Sequence, residues 1–240
     1  MKILAIDTST SMATVALAVD EKVVAESCFN SDRTLSARLI PEIMRILEIT
    51  GVAVADIDLF ASSIGPGSFT GVRGGVATFQ GLALATGKQC VGFSSLALLA
   101  MNFPFSSHPV CSLLDARKSE VYAALFDCSA ALPTPIMSDC VMSPTRFFDQ
   151  LCSATDKHIL FAGEGALRYR ELIAERMPAR AIFAPFQLQI SRAANATMLA
   201  LDLFRRGESV EPSALLPVYL RASDAEINRI GALRIGNTTI

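Results

Sequence analysis

Charge is scarce in this chain. Charged residues fill 18% of its 240 positions, and 21 Lys plus Arg against 23 Asp plus Glu leave a formal net charge of −2. Without a positive surplus no long-range field draws in a phosphate backbone, which argues against stand-alone DNA or tRNA binding. Apolar residues make up 51%. That is too many for a disordered chain, and enough that some apolar surface calls for a covering partner.

Metal and redox motifs are missing as well. The six cysteines (Cys28, Cys90, Cys111, Cys128, Cys140 and Cys152) include no CxxC pair, so neither zinc-ribbon nor thioredoxin spacing is encoded. The two histidines, His108 and His158, stand fifty positions apart beside different elements, and no metal centre is expected from them. In a chain long enough to bury a full core, scattered cysteines read as reduced thiols of a cytosolic protein. Long hydrophobic runs are also lacking. Residues 89–114 carry no Asp, Glu, Lys or Arg, but Ser94, Ser95, Asn102, Pro104 and Pro109 interrupt them, whereas a membrane span needs about 20 mostly apolar residues. Asp7 stops the opening apolar run short of a signal-peptide core, so the chain is expected to start where its fold starts, in the cytoplasm, with no membrane partner.

What is present reads as alternating strands and helices. Residues 3–6, 14–19 and 23–29 form a predicted β-meander, turning at Asp20-Glu21-Lys22. From Leu35, the apolar positions Leu39, Ile40, Ile43, Ile46 and Leu47 recur at helical spacing between Arg38, Glu42, Arg45 and Glu48, and Gly51 closes the segment. Residues 59–64 predict a strand that runs into Gly65-Pro66-Gly67-Ser68-Phe69-Thr70-Gly71 and then a helix to Thr86. That helix is crowded with Gly and Ala. Each Gly costs about 1 kcal/mol relative to Ala, so the helix depends on close backbone packing. A short strand and helix follow, then a break at 102–109.

Past the break the pattern restarts. A strand at 110–114 ends on Asp115, as 3–6 ends on Asp7; a strand at 121–126 follows, and 159–162 runs into its own Gly163-Glu164-Gly165 turn. Helices are predicted at 145–152, 166–177 and 191–206, with a further one at 224–233 packing back. The domains expected are a first lobe over 1–103, a second over 104–220 and a returning segment over 221–240. Two such duplicated α/β halves describe the actin, Hsp70 and sugar-kinase architecture, an RNase H-like fold with a mixed sheet and flanking helices in each lobe. In that architecture ATP sits between the halves, held by glycine-rich turns after the first strands, where close approach to phosphate demands Gly. Here those turns are Thr8-Ser9-Thr10 and Ala116-Arg117-Lys118-Ser119, without glycine.

Each motif has two readings. Asp7, Thr8 and Ser9 either approach a phosphate or form a turn bonded to its own backbone, the reading favoured here. The GPGSFTG loop either binds an anion at a helix N-terminus or is a tight turn feeding a packed helix. Arg73 either meets a carboxylate or faces solvent. Asp115, Arg117 and Glu120, with Lys118, either line an inter-lobe cleft or pair on an exposed hairpin. On the two helices, Leu35, Leu39, Ile43 and Leu47 together with Phe69, Arg73, Val76, Ala77 and Gln80 either face a partner helix pair or cover their own sheet.

The opening ILAIDTS at 3–9, GPGSFTGVRGGVATFQGLALA at 65–85, LLDARKSEVYAALF at 113–126 and PVYLR at 217–221 together resemble the TsaB (YeaZ) family, and GPGSFTGxR is the most specific of these blocks. The resemblance implies a non-catalytic scaffold subunit of the bacterial machinery that attaches threonylcarbamoyl to the adenosine beside the tRNA anticodon. Its implied partners are TsaD, which carries the chemistry, and the ATPase TsaE, with a homodimer when TsaD is absent and tRNA met only through the complex. No catalytic residue, metal or cofactor is expected in the chain itself, and ATP or ADP only within the complex. The family's usual histidine in the first amphipathic helix is replaced by Leu35. A stand-alone ATPase or kinase of the same fold, and a peptidase, are the rival readings.

Overall fold

The computed structural model describes residues 1–31 and 35–221. In chain order the first half contains β1 (Lys2–Asp7), β2 (Met12–Val19), β3 (Lys22–Asn30), α1 (Leu35–Thr50), β4 (Leu59–Gly65), α2 (Phe69–Thr86), β5 (Gln89–Ser94) and α3 (Ser95–Ala100). The second contains β6 (Val110–Asp115), β7 (Val121–Asp127), β8 (Thr134–Met142), α4 (Pro144–Ala154), β9 (Ile159–Ala162), α5 (Glu164–Arg168), α6 (Arg170–Arg176), β10 (Ala181–Phe183) and α7 (Ala193–Arg205). The strands build two five-stranded sheets, β3-β2-β1-β4-β5 and β8-β7-β6-β9-β10, with one common order. In each, the first three strands are antiparallel and the last two run parallel to the first. This is the two-lobed actin-like arrangement.

Alternation along the central strands explains why helices lie on both faces. Leu4 and Ile6 join Val15, Leu17 and Phe60 in a cluster with the buried residues of α1 and α2. Ile3 and Ala5 point the other way, into a cluster with Ala61, Val91, Ala196 and Ala200. A strand buried on both sides reads as a continuous apolar run, which is why residues 3–6 carry no polar alternation. Sequence reasoning missed β8, whose side chains are mostly half-exposed, and the three-residue β10. The helix expected over 166–177 is two helices joined at Tyr169.

The expected domain boundaries need correcting, because helices cross between the lobes. Helix α7, assigned by sequence to the second lobe, packs on β1 and β2 of the first sheet, with Ala193 N–H bonded to Thr14 Oγ1 at 3.1 Å. Residues 209–218 return to the first lobe too: Val210 pairs with Cys90, Leu215 is buried in the α1–α2 core, and Val218 N–H reaches Ile64 O at 2.8 Å. Conversely α3 lies in the second lobe's cluster with Val110, Leu114 and Phe126. An amphipathic helix records that it buries one face, not which sheet it covers. The expected helix at 224–233, and the returning segment from 222 onward, lie outside the described residues.

All six cysteines are unpaired. Burial pushes the Cys90 thiol up to about 11 and Cys128 up to about 12, so these are inert core thiols. Among the described residues no helix is long and apolar enough to cross a membrane.

Candidate functional site: a two-helix face and an inter-lobe cleft

The α1–α2 face has to be redrawn. Leu39, Ile43, Leu47 and Val76 are 2%, 1%, 3% and 2% exposed, and all four pack into the core over the first sheet. They are the sheet-facing stripe and are not available to a partner. The second, outward stripe consists of Ile40 and Met44 on α1 with Ala77, Gly81 and Leu84 on α2, and Leu84 is 74% exposed. Helix α1 is apolar on two sides, and sequence periodicity alone did not separate them. Leu35 is half-buried at the start of α1, close to Gly74. Gln80 is already engaged, its Nε2 donating to Leu215 O at 2.9 Å.

Gly71 and Gly75 at the start of α2, with Gly67 just before it, serve close packing. A Cβ at Gly71 would lie 2.1 Å from Thr8 O, one at Gly75 2.3 Å from Thr8 Oγ1, and one at Gly67 2.3 Å from Ser9 O. The start of α2 is thus pressed onto the β1–β2 turn. Ser68 N–H donates to Ser9 O at 2.7 Å, and Thr8 Oγ1 donates to Gly71 O at 2.8 Å. Ser68 caps the helix by accepting from Gly71 N. The turn that would cradle phosphate in the parent architecture is filled from behind by this helix. Asp7 is fully buried; its Oδ1 accepts from Ser9 N–H at 2.9 Å and Ser63 Oγ at 2.6 Å, fixing the turn to β4.

Between the lobes lies a cleft of about 800 Å³ lined by Ser9, Thr10, Phe69, Asp115, Arg117 and Tyr219, among others. Arg73 neither meets a carboxylate nor faces solvent freely. Its guanidinium lies 3.9 Å from the Phe69 ring centre and 5.5 Å from that of Tyr219, and Nε donates to Tyr219 Oη at 2.7 Å. Tyr219 was not singled out from the sequence, although the PVYLR block carries it. On the opposite wall, Asp115 Oδ1 accepts from Arg117 N–H at 3.0 Å within the hairpin, while both Asp115 and Glu120 also reach arginines outside it. Asp115 Oδ2 meets Arg168 at 2.7 Å, and Glu120 meets Arg221 at 2.8 Å. Arg117, Lys118 and Ser119 all adopt positive φ, and Arg117 projects exposed at the cleft. Asp7 and Asp115 match in topology but not in environment, one fully buried and the other solvent-accessible.

A family model described as "TsaD: tRNA N6-adenosine threonylcarbamoyltransferase" matches residues 22–229. The tRNA threonylcarbamoyladenosine biosynthesis protein TsaB of Escherichia coli (strain K12) is 30% identical over 226 residues, 92% of this chain and 95% of that protein. The chain belongs to this family, on its TsaB (YeaZ) side. The TsaB of Bacillus subtilis (strain 168) is 27% identical over 226 residues, 94% of this chain and 96% of that one. The solved YeaZ of Pseudomonas aeruginosa superposes with a TM-score of 0.78 at 32% identity, covering 91% of this chain and 99% of that chain. Likeness to TsaB and YeaZ therefore spans both lobes.

Proposed function

We propose that this chain is a docking subunit of the apparatus that makes threonylcarbamoyladenosine in tRNA, and that it acts by binding and positioning TsaD, together with TsaE, without performing chemistry itself. The observation that carries the reading is the outward stripe of Ile40, Met44, Ala77, Gly81 and Leu84, apolar on helices whose other stripe already covers the sheet. Ala77 and Gly81 let a second helix pair approach closely, and Ile40, Met44 and Leu84 supply area to bury. The same face serves a homodimer when TsaD is absent, and tRNA is met through the assembled complex in the cytoplasm. ATP or ADP enters only at a joint surface, since the β1–β2 turn has no glycine to admit a phosphate closely. Holding TsaD in a competent arrangement is a sufficient contribution, because misplacing reacting groups by about 1 Å costs on the order of 10²-fold in rate.

The test replaces Ile40 and Leu84 by Arg. Both are exposed, so the fold is retained, TsaD is no longer co-purified, and threonylcarbamoyladenosine disappears from the tRNA of a strain lacking the native chain. Unchanged TsaD association would refute the face. Leu39→Arg, a choice the sequence alone suggests, would instead place a cation in the core.

One observation favours the rival nucleotide-binding reading: Asp7 Oδ2 and Ser9 Oγ are buried without a hydrogen-bond partner among the described residues. Calorimetry of the isolated chain with ATP and magnesium decides between the two. Tight binding with turnover would favour a stand-alone ATPase. A peptidase is disfavoured because neither histidine lines the cleft.

A further inference from the structure

His108 and His158, set aside in the sequence because fifty positions separate them, are neighbours in the fold. Strands β6 and β9 pair in parallel with Val110 opposite Leu160, and continuing that register back by two residues sets His108 alongside His158. Their ring centroids lie 5.6 Å apart at an interplanar angle of 46°. His108 is half-buried and His158 exposed.

We infer that this pair is a two-imidazole site for a borderline divalent transition metal of the zinc, nickel or copper class. An imidazole nitrogen holds such a metal at about 2.0–2.1 Å, which puts the ion roughly 3.2 Å from each ring centre. A centroid separation of 5.6 Å then subtends roughly 120° at the metal, near a tetrahedral arrangement. Among the described residues, the hydrogen bonds of His108 run through its backbone: N–H donates to Ser106 Oγ at 3.2 Å, and the carbonyl accepts from that hydroxyl at 2.8 Å. The backbone is held on both sides, by Leu160 N–H to Pro109 O and Ile159 N–H to Arg180 O, each 2.9 Å. The backbone beneath the two rings is therefore held in place, which limits the ordering cost of chelation to the side chains.

The surroundings narrow the ligand class. Among the described residues no group of three or more His, Cys, Asp or Glu is placed to hold a metal, so water completes the coordination. Nearby Lys157 acts on Asp127, and Arg180 lies 3.9 Å from Asp156. Paired imidazoles without carboxylates suit zinc, nickel and copper and do not suit magnesium or calcium.

The test titrates the full-length, tag-free chain with Ni²⁺ by calorimetry in a non-chelating buffer. One equivalent is expected to bind, and at least tenfold more weakly in His108→Ala and in His158→Ala. His158 is exposed, so His158→Ala leaves the fold intact, as circular dichroism will check. A Cys28→Ser background removes the exposed thiol as a competing ligand. Affinity unchanged in either histidine variant, metal binding that vanishes with Cys28→Ser alone, or no binding at millimolar Ni²⁺ would each overturn the assignment.

Discussion

Arg73 Nε donates to Tyr219 Oη at 2.7 Å across 146 positions of sequence, while its guanidinium stacks on Phe69. This contact joins the two motifs GPGSFTGVR and PVYLR into one feature at the mouth of the cleft. It also fastens residues 215–219 to α2, beside the Gln80 bond to Leu215 O.

Tyr219→Phe removes the hydrogen bond and keeps the stacking, and is expected to cost about 1 kcal/mol of stability. A double-mutant cycle of Arg73→Ala with Tyr219→Ala should return a coupling energy of about 1 kcal/mol, the scale of a partly exposed cation–π contact. Urea unfolding of the four proteins measures both.

Glycines on α2 should separate into two kinds. Gly75→Ala drives a Cβ into Thr8 Oγ1, and is expected to destabilise by about 2 kcal/mol or more through strain in a packed region. At Gly81 a Cβ meets nothing within 4 Å, so Gly81→Ala is expected to stabilise the isolated chain by about 0.5–1 kcal/mol. Thermal unfolding of the two variants should move in opposite directions.

Asp7 acts on the fold through its two accepted hydrogen bonds. Asp7→Ala leaves Ser9 N–H and Ser63 Oγ without their acceptor and is expected to cost about 2 kcal/mol, whereas Asp7→Asn keeps an oxygen for them and costs less. Modification activity should fall only in proportion to the folded fraction, measured by nucleoside analysis beside a folding assay. Near-total loss of activity in a well-folded Asp7→Ala protein would indicate direct chemistry.

Asp139 on β8 accepts from Ser94 Oγ at 2.5 Å, tying the second sheet to the cap of α3. Burial raises its carboxyl above the ordinary value, with the Ser94 bond opposing. A raised acid binds its proton more tightly in the folded state, so its contribution is present at low pH and is lost as pH rises from about 4 through the raised value. Asp139→Asn should flatten the stability profile in that window and raise stability at neutral pH by roughly 1 kcal/mol, because the amide still accepts from Ser94 without a buried charge. Unfolding measured across pH 4 to 7.5 checks the sign.

The central strands were legible because each is buried on both faces, leaving unbroken apolar runs that end on Asp7 and Asp115. The helices α1 and α2 were legible from periodicity and from the glycine-rich entry to α2. Strand β8 was not, since its half-exposed side chains give no clean alternation. The candidate face was legible as a pair of helices but not as a set of side chains: periodicity left Leu39, Ile43, Leu47 and Val76 open between a partner and their own sheet, and they belong to the core.

By itself, then, the order of residues determined two α/β halves, the loss of glycine after both first strands, and the family blocks, since these rest on local periodicity and backbone chemistry. Only the tertiary structure decided which stripe of α1 meets solvent, that α7 crosses to the first sheet, that Tyr219 receives Arg73, and that His108 lies against His158. Each of these depends on strand register or helix rotation between segments far apart in the chain. Such relations are set by packing over the whole molecule, and no local pattern encodes them.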